Sequence, residues 1–326
     1  MKPARDVSRR ALPALCALAL ACAACGAQAQ QWPTKPIRLV VPFSAGGAND
    51  LLGRAAAEGA TKALGQSVVV DNRPGAGSVL GSELVANSAP DGYTFLVSAA
   101  GVVSNSMLKK SMPYKDSQLV PVAMIGLAPS VIVVPASSPY KDLPAFIAAS
   151  KQGAGLHFAT AGAGTTPHFV EGLLTTKYGA KLDLVPYKSG AESVTAVLGN
   201  FVEATSEASI VVLPYLKSGK LRGLADTWTE RISAYPELKT AAEQGFPEIR
   251  IAHWAGVHAP AGTPQAIMDK MAAAVDASMK DPATIARLKN VGIIPVGGNR
   301  ASFIKFVDEE RERLSGVVKS TGMKED

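Results

Sequence analysis

Between Ile37 and Ser320 this 326-residue sequence changes period repeatedly, from short runs of β-branched and apolar residues to stretches with apolar positions three and four apart. The first period suits a buried strand, the second a helix with one apolar face. Such persistent alternation confines the chain to α/β architecture, because each strand-to-helix crossing lays a helix on a face of a largely parallel sheet. Ile37-Arg38-Leu39-Val40-Val41 opens the series. The spacing then predicts a helix from Asp50 to Leu64, with Asn49 or Asp50 as N-cap and Gly65 as its stop. Further strands are predicted at 67–70, 94–98, 120–125, 131–134, 156–160, 182–185, 202–206, 221–225 and 252–258. Pro129 and Pro135 bracket the strand at 131–134, and a small-residue loop follows Ser98. Helices are predicted at 78–88, 141–151, 167–178 and 191–198, with one more ending at Lys217. Three helices close the chain at 264–280, 282–289 and 301–320. Thr263-Pro264 and Asp281-Pro282 each set a capping residue before a proline at the first helical position. Two α/β units joined by the strands at 131–134 and 252–258 make a two-lobed molecule. Lobe 1 comprises residues 30–129 and 255–326, lobe 2 residues 130–254, and the C-terminal helices return to lobe 1.

Three glycine-rich loops each follow a strand and open a helix: Pro42 to Asp50, Arg73 to Ser78, and Thr160 to His168. Loops at the carboxyl ends of strands form the ligand crevice of open α/β sheets. A helix N-terminus there offers unpaired N–H groups and a partial positive charge, a ready anion site. The first loop supplies Phe43, Ser44, Ala45, Gly46, Gly47 and Asp50 as candidate ligand residues. The third supplies Ala161, Gly162, Gly164, Thr165, Thr166 and His168, with threonine hydroxyls as added donors. His168, on the first turn of its helix, either touches the ligand or makes a structural bond to the loop. Ser98 and Ala99, at the end of a strand between the two loops, join the candidate set.

Lys2, Arg5, Arg9 and Arg10 precede an apolar run from Ala11 to Cys25 that leads to Ala27-Gln28-Ala29. A basic start, a short apolar stretch and a small-residue site make a secretory signal peptide over residues 1–29. The apolar run is too short for a bilayer span, which takes about 20 residues. Cleavage after Ala29 removes Cys16, Cys22 and Cys25, every cysteine of the chain, and leaves 297 residues suited to an oxidising periplasm. Ser8-Arg9-Arg10 resembles a twin-arginine export signal, while the surroundings of Cys22 and Cys25 match a lipid-attachment site poorly. Apolar content of 47% with 18% charged residues is that of a globular chain with a core, not a disordered one. The formal charge is +6, of which the signal region carries +3, and no cluster of basic residues marks a nucleic-acid surface.

Catalytic motifs are missing. The stretch from Val68 through Gly75, Gly77 and Gly81 has the look of a dinucleotide fingerprint. However, Asn72-Arg73-Pro74 interrupts it, and the strand at 94–98 ends without an acidic residue for a ribose. There is no Gly-x-Ser-x-Gly elbow, no Walker A sequence and no His-Glu-x-x-His pair among four histidines. No catalytic residue, metal ligand or cofactor is therefore expected.

In this order the loops resemble the substrate-binding proteins of tripartite tricarboxylate transporters, the Bug family. The resemblance runs through Lys35 to Phe43 with Gly46, Gly47 and Asp50, then Asn72-Arg73-Pro74-Gly75-Ala76-Gly77 and Ala89-Pro90-Asp91-Gly92-Tyr93. Gly162, Gly164, Thr165 and His168, Val185-Pro186-Tyr187-Lys188, Gly219-Lys220-Leu221-Arg222 and Ala259 to Pro264 complete it. It implies a two-lobed periplasmic binding protein of type II-like fold, its ligand cleft between lobes joined by two crossover strands. It further implies that backbone N–H groups and waters of the first and third loops hold a small organic carboxylate. The protein is then no enzyme; as a monomer it hands its ligand to membrane permease subunits. Glu203 and Glu207 stand where the family commonly has aspartates, which makes Glu207 a candidate at the distal end of the pocket. The alternatives are an exported α/β enzyme or an anion sensor for a small carboxylate.

Overall fold

The computed structural model describes residues 32–324, and the compact unit that carries the fold begins at Lys35. The signal-peptide reading of residues 1–29 lies outside the described residues.

One ten-stranded sheet organises the molecule. Its first half is built on β1 (Ile37–Val41), which pairs in parallel with β2 (Val68–Asn72) and β3 (Thr94–Ser98). Antiparallel to β3 runs β9 (Ala252–Pro260), and antiparallel to β9 runs β4 (Leu119–Pro135). From β4 the second half continues through β7 (Ala204–Ala208), β5 (Leu156–Thr160) and β6 (Leu182–Pro186), the last two parallel. β8 (Leu221–Asp226) and β10 (Ile294–Pro295) also pair with β4.

The strand predictions at 94–98 and 156–160 match their elements end to end, but 120–125 and 131–134 are parts of a single 17-residue strand. Pro129, expected to bracket the second, lies inside β4 opposite Ala252, and Ser130 already pairs with Ala208 of β7. A proline cannot donate to a ladder and is tolerated where pairing is interrupted. Here it sits where β4 exchanges one partner strand for another. Pro121 similarly borders a register shift against β9.

Helices α1 (Ala48–Leu64), α2 (Val79–Ala86), α3 (Gly101–Leu108), α4 (Leu143–Ser150), α5 (Thr166–Tyr178), α6 (Gly190–Leu198) and α7 (Ser209–Lys217) connect the strands. α8 (Gln265–Lys280), α9 (Pro282–Lys289) and α10 (Arg300–Thr321) close the chain. α3 replaces the loop expected after Ser98. It is eight residues long and lacks a side-chain cap, so its stability comes from packing of buried Val102, Val103 and Leu108.

The caps differ in part from expectation. Gly47, not Asn49 or Asp50, is the N-cap of α1, whereas Gly65 ends it in the left-handed conformation, as predicted. Asp281 caps α9 by accepting from the Thr284 N–H at 2.8 Å, with Pro282 at the first position. At α8 the N-cap position falls on Pro264, and the Thr263 hydroxyl instead donates to the Pro260 carbonyl at 2.8 Å.

Buried apolar side chains from both halves of the sheet form one core, including Leu96, Phe158, Phe169, Trp254 and Phe303. α10 closes it, with Phe303 and Phe306 edge-on to Trp254 at 6.2 and 5.5 Å between centroids. Gly256 admits the Phe303 ring, which would lie 2.1 Å from a Cβ at that position.

Candidate functional site

Four strand-to-helix junctions point at one partly open cavity of about 30 Å³. The β1–α1 loop brings Phe43 and Gly47, and α1 adds Ala48 and Asn49. Ala99, Ala100 and Gly101 come from the β3–α3 junction, while Ala161, Thr165, Thr166 and Pro167 come from the β5–α5 junction. Gly190 opens α6, and two side chains from the strands complete the lining: Glu207 of β7 and His253 of β9.

Each helix begins with amides that its own hydrogen-bond ladder cannot use. Usually a side chain at the N-cap takes one of them. The α1, α3 and α5 N-caps, Gly47, Ala100 and Thr165, make no such bond. Only α6 among these junctions is capped: Ser189 Oγ accepts from the Glu192 N–H at 3.3 Å. Three helix N-termini thus face the same small space with aligned dipoles and backbone donors, fewest at α3, where the Val102 and Val103 N–H groups already donate to the Ala99 and Ala100 carbonyls at 3.1 and 3.0 Å. No lysine or arginine lines it. The arrangement suits an anion held by backbone N–H groups.

Seven of the sequence candidates reach the lining: Phe43, Gly47, Ala99, Ala161, Thr165, Thr166 and Glu207. The others stand behind or beside it. Ser44 Oγ donates to Glu192 Oε1 at 3.0 Å, and Ala45 and Gly46 are exposed. Asp50 accepts from the Gly46 N–H at 3.0 Å, from Arg54 and from Asn72, so it braces the loop from beneath. Burial alone would raise its carboxyl, but those bonds outweigh it and leave the pKa below the ordinary value. Ser98 Oγ shares a 2.7 Å hydrogen bond with His258 Nδ1. Gly162 faces an outer hollow with Gly77, Tyr187 and Lys188, and its carbonyl accepts from Thr165 Oγ1 at 2.6 Å. Gly164 donates its N–H to His168 Nδ1 at 3.1 Å. Of the two readings of His168, the structure provides this bond to the loop.

Gly164 and Gly77 lie at positive φ, and a Cβ on Gly77 would come within 2.3 Å of the Ala163 carbonyl oxygen. The second and third glycine loops therefore meet backbone to backbone. Ser104 Oγ of α3 donates to the Gly164 carbonyl at 2.9 Å beside that contact.

Sequence reasoning left out Ala48, Asn49, Ala100, Gly101, Pro167, Gly190 and His253. Asn49 explains itself once the strands are in place, since Nδ2 donates to the Ser98 and Trp254 carbonyls at 3.3 Å each. His253 carried one signal, a polar residue inside the apolar run at 252–258. Its Nε2 lies 3.2 Å from Ser130 Oγ and 3.9 Å from Glu207 Oε2. Burial pushes its pKa down to about 3, so the ring is neutral. Burial pushes Glu207 the other way, up to about 8. Among the described residues no group of three or more His, Cys, Asp or Glu could hold a metal ion.

The chain is 36% identical over 300 residues to the protein BugT of Bordetella pertussis, covering 91% of this chain and 92% of that one. Its fold matches the periplasmic binding protein BugD with a TM-score of 0.86 at 29% identity, over 90% of this chain and all of that one. It matches Rpa4515 of R. palustris, solved with adipate, with a TM-score of 0.86 at 31% identity, over 90% and 99% of the two chains. Residues 52–323 match the model of the tripartite tricarboxylate transporter family receptor. The chain therefore belongs to that family of periplasmic solute-binding receptors, which are not enzymes.

Proposed function

We propose that this protein captures a small organic acid, its carboxylate group held in the cavity at the three uncapped helix N-termini, and delivers it to membrane permease subunits. The observation that carries the reading is the convergence of α1, α3 and α5 on a space with no cationic side chain. Amide donors and helix dipoles stabilise a carboxylate there without an arginine clamp. The adipate in Rpa4515 supports the same ligand class.

In this reading residues 30–129 with 255–326 and residues 130–254 are two lobes that close on the ligand. The bonds from Ser44 to Glu192 and from Ser104 to Gly164 cross between them and belong to the closed form. Residues 1–29 direct export and are removed after Ala29, and the remainder works as a monomer. Thermal denaturation of residues 30–326 against mono-, di- and tricarboxylates tests the proposal. A ligand at 100 times its Kd adds about 2.7 kcal/mol of stability. That is a rise of roughly 4 °C in Tm for a chain this size. A panel in which no carboxylate raises Tm overturns the reading, and turnover of a bound carboxylate would favour the exported-enzyme alternative.

A further inference from the structure

Glu207 is an unusual side chain to find at an anion site. It is 2% exposed and contributes to the cavity lining, and its Oε1 has no hydrogen-bond partner. Gly190 makes room for it: a Cβ at that position would lie 2.1 Å from Oε2 and 2.9 Å from Oε1. No lysine or arginine lines the cavity, so an ionised Glu207 would be a buried charge facing an anionic ligand. Such a charge costs several kcal/mol unless it is paired.

The titratable groups on the elements packed against β7 are otherwise engaged. On β9, neutral His253 is 3.9 Å from Oε2, too far for a hydrogen bond, and shares a polar chain with Ser130 and Ser206. On α6, Glu192 is the acidic residue of the first turn and accepts from Ser44 Oγ and the Lys188 N–H. On α5, His168 accepts from Gly164 and Glu171 from Thr175. Lys217 closes the last turn of α7, and His157 of β5 pairs with Glu203 at an exposed end of the sheet. None of these bonds supplies Glu207 with a cation.

We propose that Glu207 meets the ligand as a neutral carboxylic acid, donating the O–H of its unpartnered oxygen to an oxygen of the bound carboxylate. The inference rests on the carboxylate reading of the site. Glu207 then favours an acceptor oxygen at its end of the cavity. Above the ionisation of the free protein near pH 8, each anion bound takes up one proton from solvent.

Calorimetry with adipate, fully ionised between about pH 7 and about pH 9, decides it. Affinity falls roughly tenfold across that interval as the competent fraction shrinks. Titrations near pH 9 in buffers of different ionisation enthalpy show uptake of close to one proton, and those near pH 7 show almost none. Glu207→Gln, whose amide N–H replaces the carboxyl O–H, loses this pH dependence and binds adipate roughly tenfold more tightly than the parent near pH 9. A flat affinity profile and no proton uptake in the parent protein overturn the proposal, and that measurement does not depend on the variant folding. So does a folded Glu207→Gln that keeps the parent's pH dependence. If adipate gives no heat, the rest of the carboxylate panel is titrated in the same way. Failure of every member sinks the carboxylate reading and this proposal together, whereas binding without proton linkage sinks this proposal alone.

Discussion

A single methyl group at Gly190 tests the geometry of the site through stability alone. Gly190 is the first residue of α6, and intrinsic propensity favours alanine over glycine in a helix by up to ~1 kcal/mol. The structure predicts the opposite sign. A Cβ at 190 would stand 2.1 Å from Glu207 Oε2, 2.6 Å from Cδ and 2.9 Å from Oε1. The carboxyl is buried, so it must swing into the cavity or α6 must shift. Overpacking of this kind costs about 1–3 kcal/mol. Set against propensity, the expected net loss for Gly190→Ala is about 1–2 kcal/mol, a fall in Tm of roughly 1.5–3 °C. In a Glu207→Ala background the same methyl meets no carboxyl, and Gly190→Ala becomes neutral or stabilising. Urea denaturation of the four proteins in this cycle measures the coupling, expected to exceed about 1 kcal/mol. An equal loss in both backgrounds, or none in either, would refute the placement of Glu207 over the start of α6.

Three further outcomes follow from a cap and from buried titratable groups. Asp281→Ala removes the bond to the Thr284 N–H and costs about 0.5–2 kcal/mol in urea denaturation, while Asp281→Asn keeps most of the cap. His253 and His258, both pushed down to about 3 by burial, stay neutral in the folded chain while the unfolded chain protonates them below about pH 6.5. Their contribution is therefore intact above that pH and falls as acid is added, by about 1.4 kcal/mol per pH unit for each ring. Glu207, raised to about 8, has the reverse sign: stability is lost as pH rises from its unfolded value toward 8. Urea midpoints measured against pH should show His258→Gln flattening the acid limb; an unchanged limb would mean that the ring is protonated in the native state.

Local chemistry made much of the scaffold legible. Thr94–Ser98 and Leu156–Thr160 are short apolar runs between turn residues, and Asp281-Pro282 carries its own cap and first turn. Where the sequence misled, a distant partner overrode a local rule. Pro129 reads as a strand terminator until β7 is seen to take over from β9 beside it. Gly101-Val102-Val103-Ser104 reads as a loop because it lacks a cap, yet its small residues pack where a Cβ on Gly101 would meet Ser78 Oγ at 2.3 Å. The glycine loops announced a site, but half of its wall was illegible. Gly190 reaches the cavity from the start of α6 and His253 from β9, far apart in sequence, and no spacing rule connects them to Phe43 or Thr165.

The unbroken course of β4 bears on how the molecule comes apart. Leu119 to Pro129 pair with β9 in one half of the sheet, and Ser130 to Pro135 pair with β7 and β8 in the other. Removing either half would strip the other of an interior strand and leave a bare row of backbone donors and acceptors. Neither half is thus an independent folding unit, although the chain is long enough for two ordinary domains. Melting is therefore expected to be cooperative across the whole sheet, with the amides along β4 the last to exchange with solvent in a hydrogen-exchange measurement.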